Sequence, residues 1–314
     1  MRLKDAGSAG VNGDWNPSGG HAQIYSGHES FACRYGWLPK LYEAVQQDEG
    51  LFSSDERSIL ALGLGKNMVK ALRFWGQTFG LLHVERGSAR NTEFARRLLD
   101  GESGIDPYLE NPGSLWRLHW IVTAHAGLGA WVATFLELQD TQITRNRLID
   151  VVRSRATAAR GSVTNRTATA HVDILLQTYD WSRFDAATPG EDATGCPFQE
   201  LQLVETSTVN GQMHVSVKRG TKPQLDVGAF AFALNDYWQG TALGSRSISL
   251  RSLLIGQRSP GVVFRLDEGS LFACLEQLCE ISGLEMRSDG AGGMDIVGDS
   301  QVNKRLEEVA WLRN

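Results

Sequence analysis

Five polar side chains between residues 66 and 77 have the types and the spacing to contact DNA. They recur mostly every three or four residues, so on a helix they would share one face. They are Lys66, Asn67, Lys70, Arg73 and Gln77. Ammonium groups bind phosphates, whereas amide and guanidinium groups can also read the edges of bases. The sequence therefore predicts a DNA recognition helix.

Two predicted helices separated by a short turn position this face. The first begins near Asp55, an acid suited to the positive end of a helix dipole, and the sequence Gly63-Leu64-Gly65 ends it. The second begins at about Lys66. Its other face carries apolar residues at three- and four-residue spacings and should be buried. These residues are Met68, Val69, Leu72, Trp75 and Phe79.

The segments that follow predict a winged helix-turn-helix. A short strand at 81–84, a Gly/Ser/Arg loop at 85–90 and a helix at 92–99 come in the order of that fold. The loop would be the wing and would present Arg86 and Arg90 to DNA. The alternative is a helical hairpin in a protein core whose basic face only contacts solvent.

A phosphate-binding loop is the competing motif for the turn. Gly65-Lys66 resembles the end of that motif, but Leu60 stands where a glycine is needed and Asn67 where a hydroxyl is needed. The missing hydroxyl would leave magnesium without its ligand, so we exclude an NTPase.

His28 and Glu29 are candidates for acid/base chemistry or for metal binding. They lie in an aromatic-rich stretch just before a predicted helix at 38–47. The alternative is that they cap and pack the start of that helix.

A cluster of acids near the basic segment is the candidate metal site. Asp106 is the main candidate of the four, and a divalent ion such as Mg²⁺ or Mn²⁺ would be the cofactor, because metal-dependent phosphodiester hydrolysis needs converging carboxylates. Turn and cap roles explain the same residues equally well. The four acids are Asp100, Glu102, Asp106 and Glu110.

The charge of the chain is unevenly distributed. The net charge is −5, which argues against a nucleic-acid partner. Residues 57–97, however, hold eight basic residues and two acids, 145–166 hold six arginines and one acid, and 246–265 hold four arginines and no acid. Such segregation favours a basic surface on an acidic body.

No apolar run is long enough to span a bilayer, and the first twenty residues lack the apolar core of a signal peptide. We therefore expect a cytoplasmic protein without membrane contacts. Four scattered cysteines predict reduced, buried thiols rather than disulfides or a zinc site.

The predicted fold class is α+β and mainly helical. We expect a flexible arm at 1–24, the winged helix-turn-helix at 25–110, and a helical and mixed region at 111–314. In the last region, continuous helices are predicted at 141–159 and 247–255. Asn210-Gly211 and the glycine-rich segment 289–293 predict two short β-hairpins. Helices closed by hairpins suggest that the C-terminal half of the chain repeats small α+β units.

Several segments, taken in order from Tyr25 to Trp311, resemble the SspB family of the Ssp DNA phosphorothioation systems. They are YSGHESFACRYGWLPKLYEAV, LGLGKNMVKALRFWGQTFGLL, GIDPYLENPGSLWRLHW, VDILLQTY, EDATGCPFQELQLV and SPGVVFRLDE. One departure is Cys196, where the family pattern has a serine before the proline.

The resemblance implies a protein that binds double-stranded DNA and nicks one strand so that sulfur can replace a phosphate oxygen, as a defence against phage. It implies a cysteine desulfurase and ATPase components as partners. It supplies no catalytic residues, and no nuclease motif is recognisable in the sequence.

Two alternatives remain. The chain is a non-catalytic winged-helix adaptor or transcriptional regulator, or it is a protein-interaction scaffold that uses its tryptophan-rich helices. A palindromic DNA site would favour a homodimer, but nothing in the sequence demonstrates one.

Overall fold

The computed structural model describes residues 23–158, 163–183, 195–242, 244–288, 290 and 292–312. Most of the expected N-terminal arm, residues 1–22, therefore lies outside the described residues. The fold is α+β and mainly helical, with three small antiparallel sheets.

The first unit contains four helices and one hairpin. The helices and the first strand come in the predicted order, whereas the second strand was not predicted. They are α1 (Trp37–Gln47), α2 (Asp55–Leu62), α3 (Lys66–Thr78), β1 (Leu82–Glu85), β2 (Ser88–Asn91) and α4 (Glu93–Leu99). Ser54 caps α2 by accepting the N–H of Arg57, and Gly63 ends it at a φ of 63°, which favours glycine. The predicted loop at 85–90 is shorter than expected, because Ser88 already belongs to β2.

The second unit begins with α5 and closes with a hairpin. Its elements are α5 (Pro112–Ala124), α6 (Gly129–Trp131) continued by a π-helix (Val132–Glu137), β3 (Gln142–Thr144), α7 (Arg145–Ala158), α8 (Asn165–Tyr179), β4 (Val204–Val209) and β5 (Gln212–Val217). Two 3₁₀ turns, Trp181–Arg183 and Pro197–Leu201, lie between α8 and β4.

The third unit has a similar but not identical order of elements, with three helices between its first strand and its hairpin and one further helix after the hairpin. It comprises α9 (Val227–Thr241), β6 (Ser247–Ser249), α10 (Leu250–Ile255), α11 (Pro260–Val263), α12 (Glu268–Ser282), β7 (Glu285–Ser288), β8 (Met294–Val297) and α13 (Val302–Ala310).

The second and third units share one sheet topology. In each unit a three-residue strand that lies between helices pairs with the last strand of the hairpin, which gives the orders β3-β5-β4 and β6-β8-β7. The predicted hairpins are therefore confirmed, and the prediction of repeated α+β units holds at the level of topology. The continuous helices predicted at 141–159 and 247–255 are wrong, because each begins with a three-residue strand whose partner is distant in sequence.

One continuous apolar core joins the three units. Trp75 on α3 lies with its ring centroid 5.9 Å from that of Trp131, and Phe79 stacks on Phe198 at 4.9 Å. The predicted boundary at residue 110 thus crosses a shared core, and the division into domains stays a prediction.

Candidate nucleic-acid interface

The buried face of α3 fixes the orientation of the candidate DNA-binding residues. Val69, Leu72 and Trp75 are buried as predicted, and the indole N–H of Trp75 donates to the carbonyl oxygen of Phe31 at 2.9 Å. Large buried side chains in defined contacts leave a helix little freedom to rotate. The opposite face of α3 is therefore held towards solvent.

That opposite face, which we call the α3 face, consists of Lys66, Asn67, Lys70, Arg73 and Gln77. Lys66, Asn67 and Lys70 are exposed, whereas Arg73 and Gln77 are half-buried. The guanidinium carbon of Arg73 lies 5.3 Å from the ring centroid of Phe52, and burial lowers the pKa of Arg73. The first two turns of α3 are thus the most accessible part of the α3 face.

Asp55 at the start of α2 is a neighbour that the sequence did not identify. Its carboxylate lies 2.6 Å from the ammonium nitrogen of Lys66. The ion pair raises the pKa of Lys66 and, with a further contribution from Lys70, lowers the pKa of Asp55. An acid inside a cationic surface reduces its attraction for phosphate.

The hairpin after α3 presents the two arginines predicted for the wing. Arg86 stands at the turn with a φ of 50°, and 93% of its side chain is exposed. Arg90 on β2 is also exposed, and its Nε lies 3.4 Å from a carboxylate oxygen of Glu49. Both arginines can reach a ligand without any rearrangement of the core.

Many of the other basic residues in the three charge windows have internal partners. Arg57 pairs with Asp48 at 2.6 Å, Arg145 with Asp173 at 2.5 Å, and Arg153 with Asp150 at 3.0 Å. Arg258 and Arg265 in the third window are buried. The excess of arginines in these windows therefore does not translate directly into a basic surface.

His28 forms a buried pair with His171 on α8. Its Nδ1 lies 3.0 Å from the carbonyl oxygen of Glu29, which can only accept, so this nitrogen carries the proton. Its Nε2 then accepts from Nδ1 of His171 at 3.1 Å. Burial lowers the pKa of both imidazoles, that of His171 to about 3. Both rings are therefore neutral at pH 7, and they join the first unit to the second.

Glu29 is exposed in a left-handed backbone conformation, with a φ of 53°. The structure therefore separates the two neighbours, one facing the core and one facing solvent. Their acid/base role stays a prediction.

Asp106 holds the turn before α5. One carboxylate oxygen accepts the N–H of Glu110 at 3.0 Å and the other accepts that of Asn111 at 2.9 Å. Asp100 likewise accepts from Ser103 and Tyr42, and the hydrogen bonds from Ser103 contribute most to lowering its pKa to about 2. Through these hydrogen bonds Asp106 and Asp100 stabilise turns and helix ends, which is the alternative to metal binding that the sequence allows.

Within the part of the chain that the structure describes, no three or more His, Cys, Asp or Glu side chains come together as a metal-binding group. His119 and His125, six residues apart on and just after α5, have separate partners. His119 contacts Tyr179 and the carbonyl oxygen of Val263, and His125 pairs with Asp236 at 2.7 Å. No helix in the described ranges is long and apolar enough to cross a membrane.

Comparisons with known proteins agree with this architecture. Residues 25–311 match the model of a family described as "Protein of unknown function (DUF4007)". A crystal structure of magnesium ion-bound SspB is similar at a TM-score of 0.80 and 30% identity, covering 92% of this chain and 87% of that one. A second SspB crystal structure gives a TM-score of 0.78 and 31% identity with the same coverage. No curated protein matches the chain.

Proposed function

This chain belongs to the SspB family and also to the family of unknown function DUF4007, and on that premise we propose that it is a DNA-binding component of an Ssp DNA phosphorothioation system. In this role it would work in the cytoplasm, beside a cysteine desulfurase and ATPase components, to mark DNA for defence against phage. The sequence segments that resemble the SspB family support the same role for this chain.

The observation that carries the proposal is the α3 face with its neighbours. Helix α3 follows α2 after a three-residue turn and precedes a hairpin with an exposed arginine at its tip. We propose that these elements form a winged helix-turn-helix. A recognition helix enters the major groove with its first residues at the base edges, and the first turns of α3 carry the exposed Lys66, Asn67 and Lys70.

In this arrangement Asn67 is the candidate for base contact, since an amide can bond two edge atoms of adenine. Lys66, Lys70 and Arg86 would contact phosphates, and Arg73, Gln77 and Arg90 would support them from the margin. Lys66 must exchange Asp55 for a phosphate oxygen when DNA binds.

Nicking of one strand is the catalytic part of the proposal. It requires a base to activate water and stabilisation of the charge that develops on the phosphate. His28, Glu29 and Asp106 are the candidates, with Mg²⁺ or Mn²⁺ as cofactor.

The engagement of Asp106 supports a second candidate function, a non-catalytic adaptor that places other enzymes on DNA. Both of its carboxylate oxygens already accept backbone N–H groups, and Asp100 is similarly occupied. As arranged, these acids do not fit a shared magnesium site. We therefore assign no step to a metal bound there.

Relaxation of a supercoiled plasmid, measured beside a binding titration on the same DNA, tests both candidates. If the chain nicks DNA, an open-circle product should form with Mg²⁺ or Mn²⁺ and should be absent from a variant with Lys66, Lys70 and Arg73 changed to Ala. Tight binding without relaxation would make the chain the adaptor. Absence of binding at low salt would contradict both.

Asp106→Asn separates a catalytic role of that residue from its structural one. Asparagine keeps one acceptor for the turn but loses the charge that a metal needs. The amide nitrogen of asparagine would face one of these two backbone N–H groups, so the melting temperature should fall. Loss of nicking with unchanged DNA affinity, measured well below the melting temperature of the variant, would assign catalysis to Asp106. Retained nicking would leave His28 and Glu29, to be tested by His28→Gln and Glu29→Gln.

A further inference from the structure

A cavity of about 770 Å³ lies beside the sheet of the second unit. It is lined from β3, from the segment after β5 and from α5, and its lining includes Gln142, Gln224, Trp116 and three cations. The cations are Lys218, Arg219 and Lys222, and the described residues that line the cavity include no acid. The cavity lining thus offers hydrogen-bond donors and positive charge, and the acids nearest to these cations, Glu205 and Asp267, lie outside it.

Arg265 is a fourth cation, and hydrogen bonds join its segment to the segment that contains Arg219. The N–H of Gly220 donates to the carbonyl oxygen of Arg265 at 2.9 Å, and the guanidinium of Arg219 donates to that of Leu266 at 3.0 Å. Gly220 has a φ of 124°, a conformation that favours glycine. The point at which the two backbone segments cross therefore depends on this glycine. Arg219 and Arg265 together line a smaller cavity of about 110 Å³, and Arg219 is common to both cavities.

Arg265 is a buried charge with unused donors. Its residue exposure is 1%, and Nη1 donates to the carbonyl oxygen of Leu138 at 2.9 Å. Its Nε and Nη2 are buried and have no hydrogen-bond partner among the described residues, and the same holds for the indole N–H of Trp116. Buried donors are almost always paired in native proteins, so these call for an acceptor.

The local charge balance also favours an anion. Lys218 is matched by Glu205 at 3.2 Å and lies over the ring of Trp181. The negative charge of Asp267 raises the pKa of Lys222, but this carboxylate already accepts a hydrogen bond from the backbone N–H of Ser270. Burial, followed by the charge of Arg265, lowers the pKa of Lys222 to about 8. A ligand that supplied negative charge would relieve this repulsion.

We propose that Arg219, Lys222 and Arg265 form a phosphate-binding site, the basic pocket, that takes the phosphate group of a phosphate ester. Guanidinium groups match the paired oxygens of a phosphate, and Lys222 supplies a further point charge. The amides of Gln142 and Gln224 and the indole of Trp116 are available to the rest of the ligand. The larger cavity, which Arg219 and Lys222 line, falls within the usual range of about 300–1,000 Å³ for small-molecule sites, and Arg265 lines the smaller cavity that shares Arg219 with it.

This site is separate from the α3 face in residues and in elements. It therefore stands whether or not α3 binds DNA. The phosphate ester can be a free nucleotide or the backbone of a DNA strand, which share the same group.

Calorimetric titration of the full chain with ATP in the absence of divalent metal, and in parallel with a short single-stranded oligodeoxynucleotide, tests the proposal. We expect at least one probe to bind, and the Arg219→Gln/Lys222→Gln variant to weaken that binding by about tenfold or more. Lys40→Gln, a change of an exposed lysine on α1, should leave it unchanged. Both pocket substitutions keep a side-chain donor, and melting curves verify folding.

The Lys66/Lys70/Arg73→Ala variant distinguishes this site from the proposed DNA surface, because it should retain binding in the basic pocket. ATP binding that depends on the pocket identifies a free nucleotide as the source, and pocket-dependent binding of the oligonucleotide alone identifies a DNA strand. Absence of binding by either probe at millimolar concentration, or equal binding by the pocket variant, would overturn the proposal.

Discussion

The α3 face and the basic pocket both concentrate cations, but they hold them in opposite ways. On the α3 face Lys66 is exposed and already paired with Asp55. In the basic pocket Arg265 is buried, two of its nitrogens have no acceptor among the described residues, and the pKa of Lys222 is lowered to about 8. Exposed charge costs little to keep and is suited to a large, mobile polyanion. A buried charge without a partner destabilises the fold until a ligand of opposite charge binds to it. A buried group of cations is therefore suited to a small, specific anion.

The largest effect should come from the core that joins the two regions. Trp75→Ala removes a fully buried ring that contacts Phe79 and Trp131, and it should lower the free energy of unfolding by about 3–5 kcal/mol. Urea denaturation followed by fluorescence and circular dichroism measures this loss. Because the core is shared, we expect one cooperative transition for the whole chain.

Tyr108→Ala is the matched control, because that ring is 71% exposed and should matter little. Two separated transitions in the Trp75 variant, with ATP binding retained after the first, would show instead that 25–110 is an independent domain.

The next largest effect concerns the α3 face. Changing Lys66, Lys70 and Arg73 to Ala should weaken DNA binding by about one to two orders of magnitude at low salt. It should reduce the slope of log affinity against log salt by about 0.9 per lost phosphate contact. Anisotropy titrations over a salt series measure both quantities.

A control variant with Lys40, Arg287 and Lys304 changed to Ala removes equal charge from exposed positions elsewhere. Equal weakening by both variants would mean that overall charge, and not the α3 face, determines affinity.

The basic pocket should show a smaller effect on stability, of opposite sign. Between pH 8 and the ordinary lysine value of 10.5, the unfolded chain binds more protons than the folded chain, so stability rises with pH through this window. Below pH 8 the charged Lys222 destabilises the fold. Lys222→Met should therefore stabilise the protein by about 1–2 kcal/mol at pH 7, and this gain should disappear above the window.

Urea denaturation of both proteins at pH 7 and at high pH measures the difference. Lys40→Met, at an exposed site, should show neither the gain nor its pH dependence. A loss of stability in the Lys222 variant would show that its ammonium group is well matched in the folded protein.

The smallest effect should come from the acid beside Lys66. Asp55→Asn frees the ammonium group and removes a negative charge from the proposed DNA surface, so affinity should rise about two- to fivefold at low salt. Asp150→Asn is the control, since Asp150 is paired with Arg153 on α7. A decrease in affinity would mean that Asp55 holds Lys66 in its binding position.

Local sequence patterns were sufficient where neighbours along the chain determine structure. The periodicity of α3, the end of α2 at Gly63, the Asn210-Gly211 hairpin and the mainly helical α+β class all depend on residues within a few positions of each other. For the same reason the exposure of Lys66, Asn67 and Lys70 could be predicted from the spacing of the buried face.

Tertiary structure alone decided the features that combine distant segments. Strands β3 and β6 exist only because a hairpin far along the chain supplies their partner. His28 meets His171, 143 residues away. Asp106 has a carboxylate that could bind a metal, but the path of the backbone directs two N–H groups at its oxygens.

The basic pocket shows the same limit most clearly. Arg219, Lys222 and Arg265 belong to no common motif, and a backbone crossing at Gly220 brings Arg219 and Arg265 together. The sequence by itself determined the helices, the hairpins and the cationic face of α3, because these need only local hydrogen bonds and a periodic apolar face. Which charges meet, and which are buried without a partner, depended on packing between distant segments, and no local pattern encodes that packing.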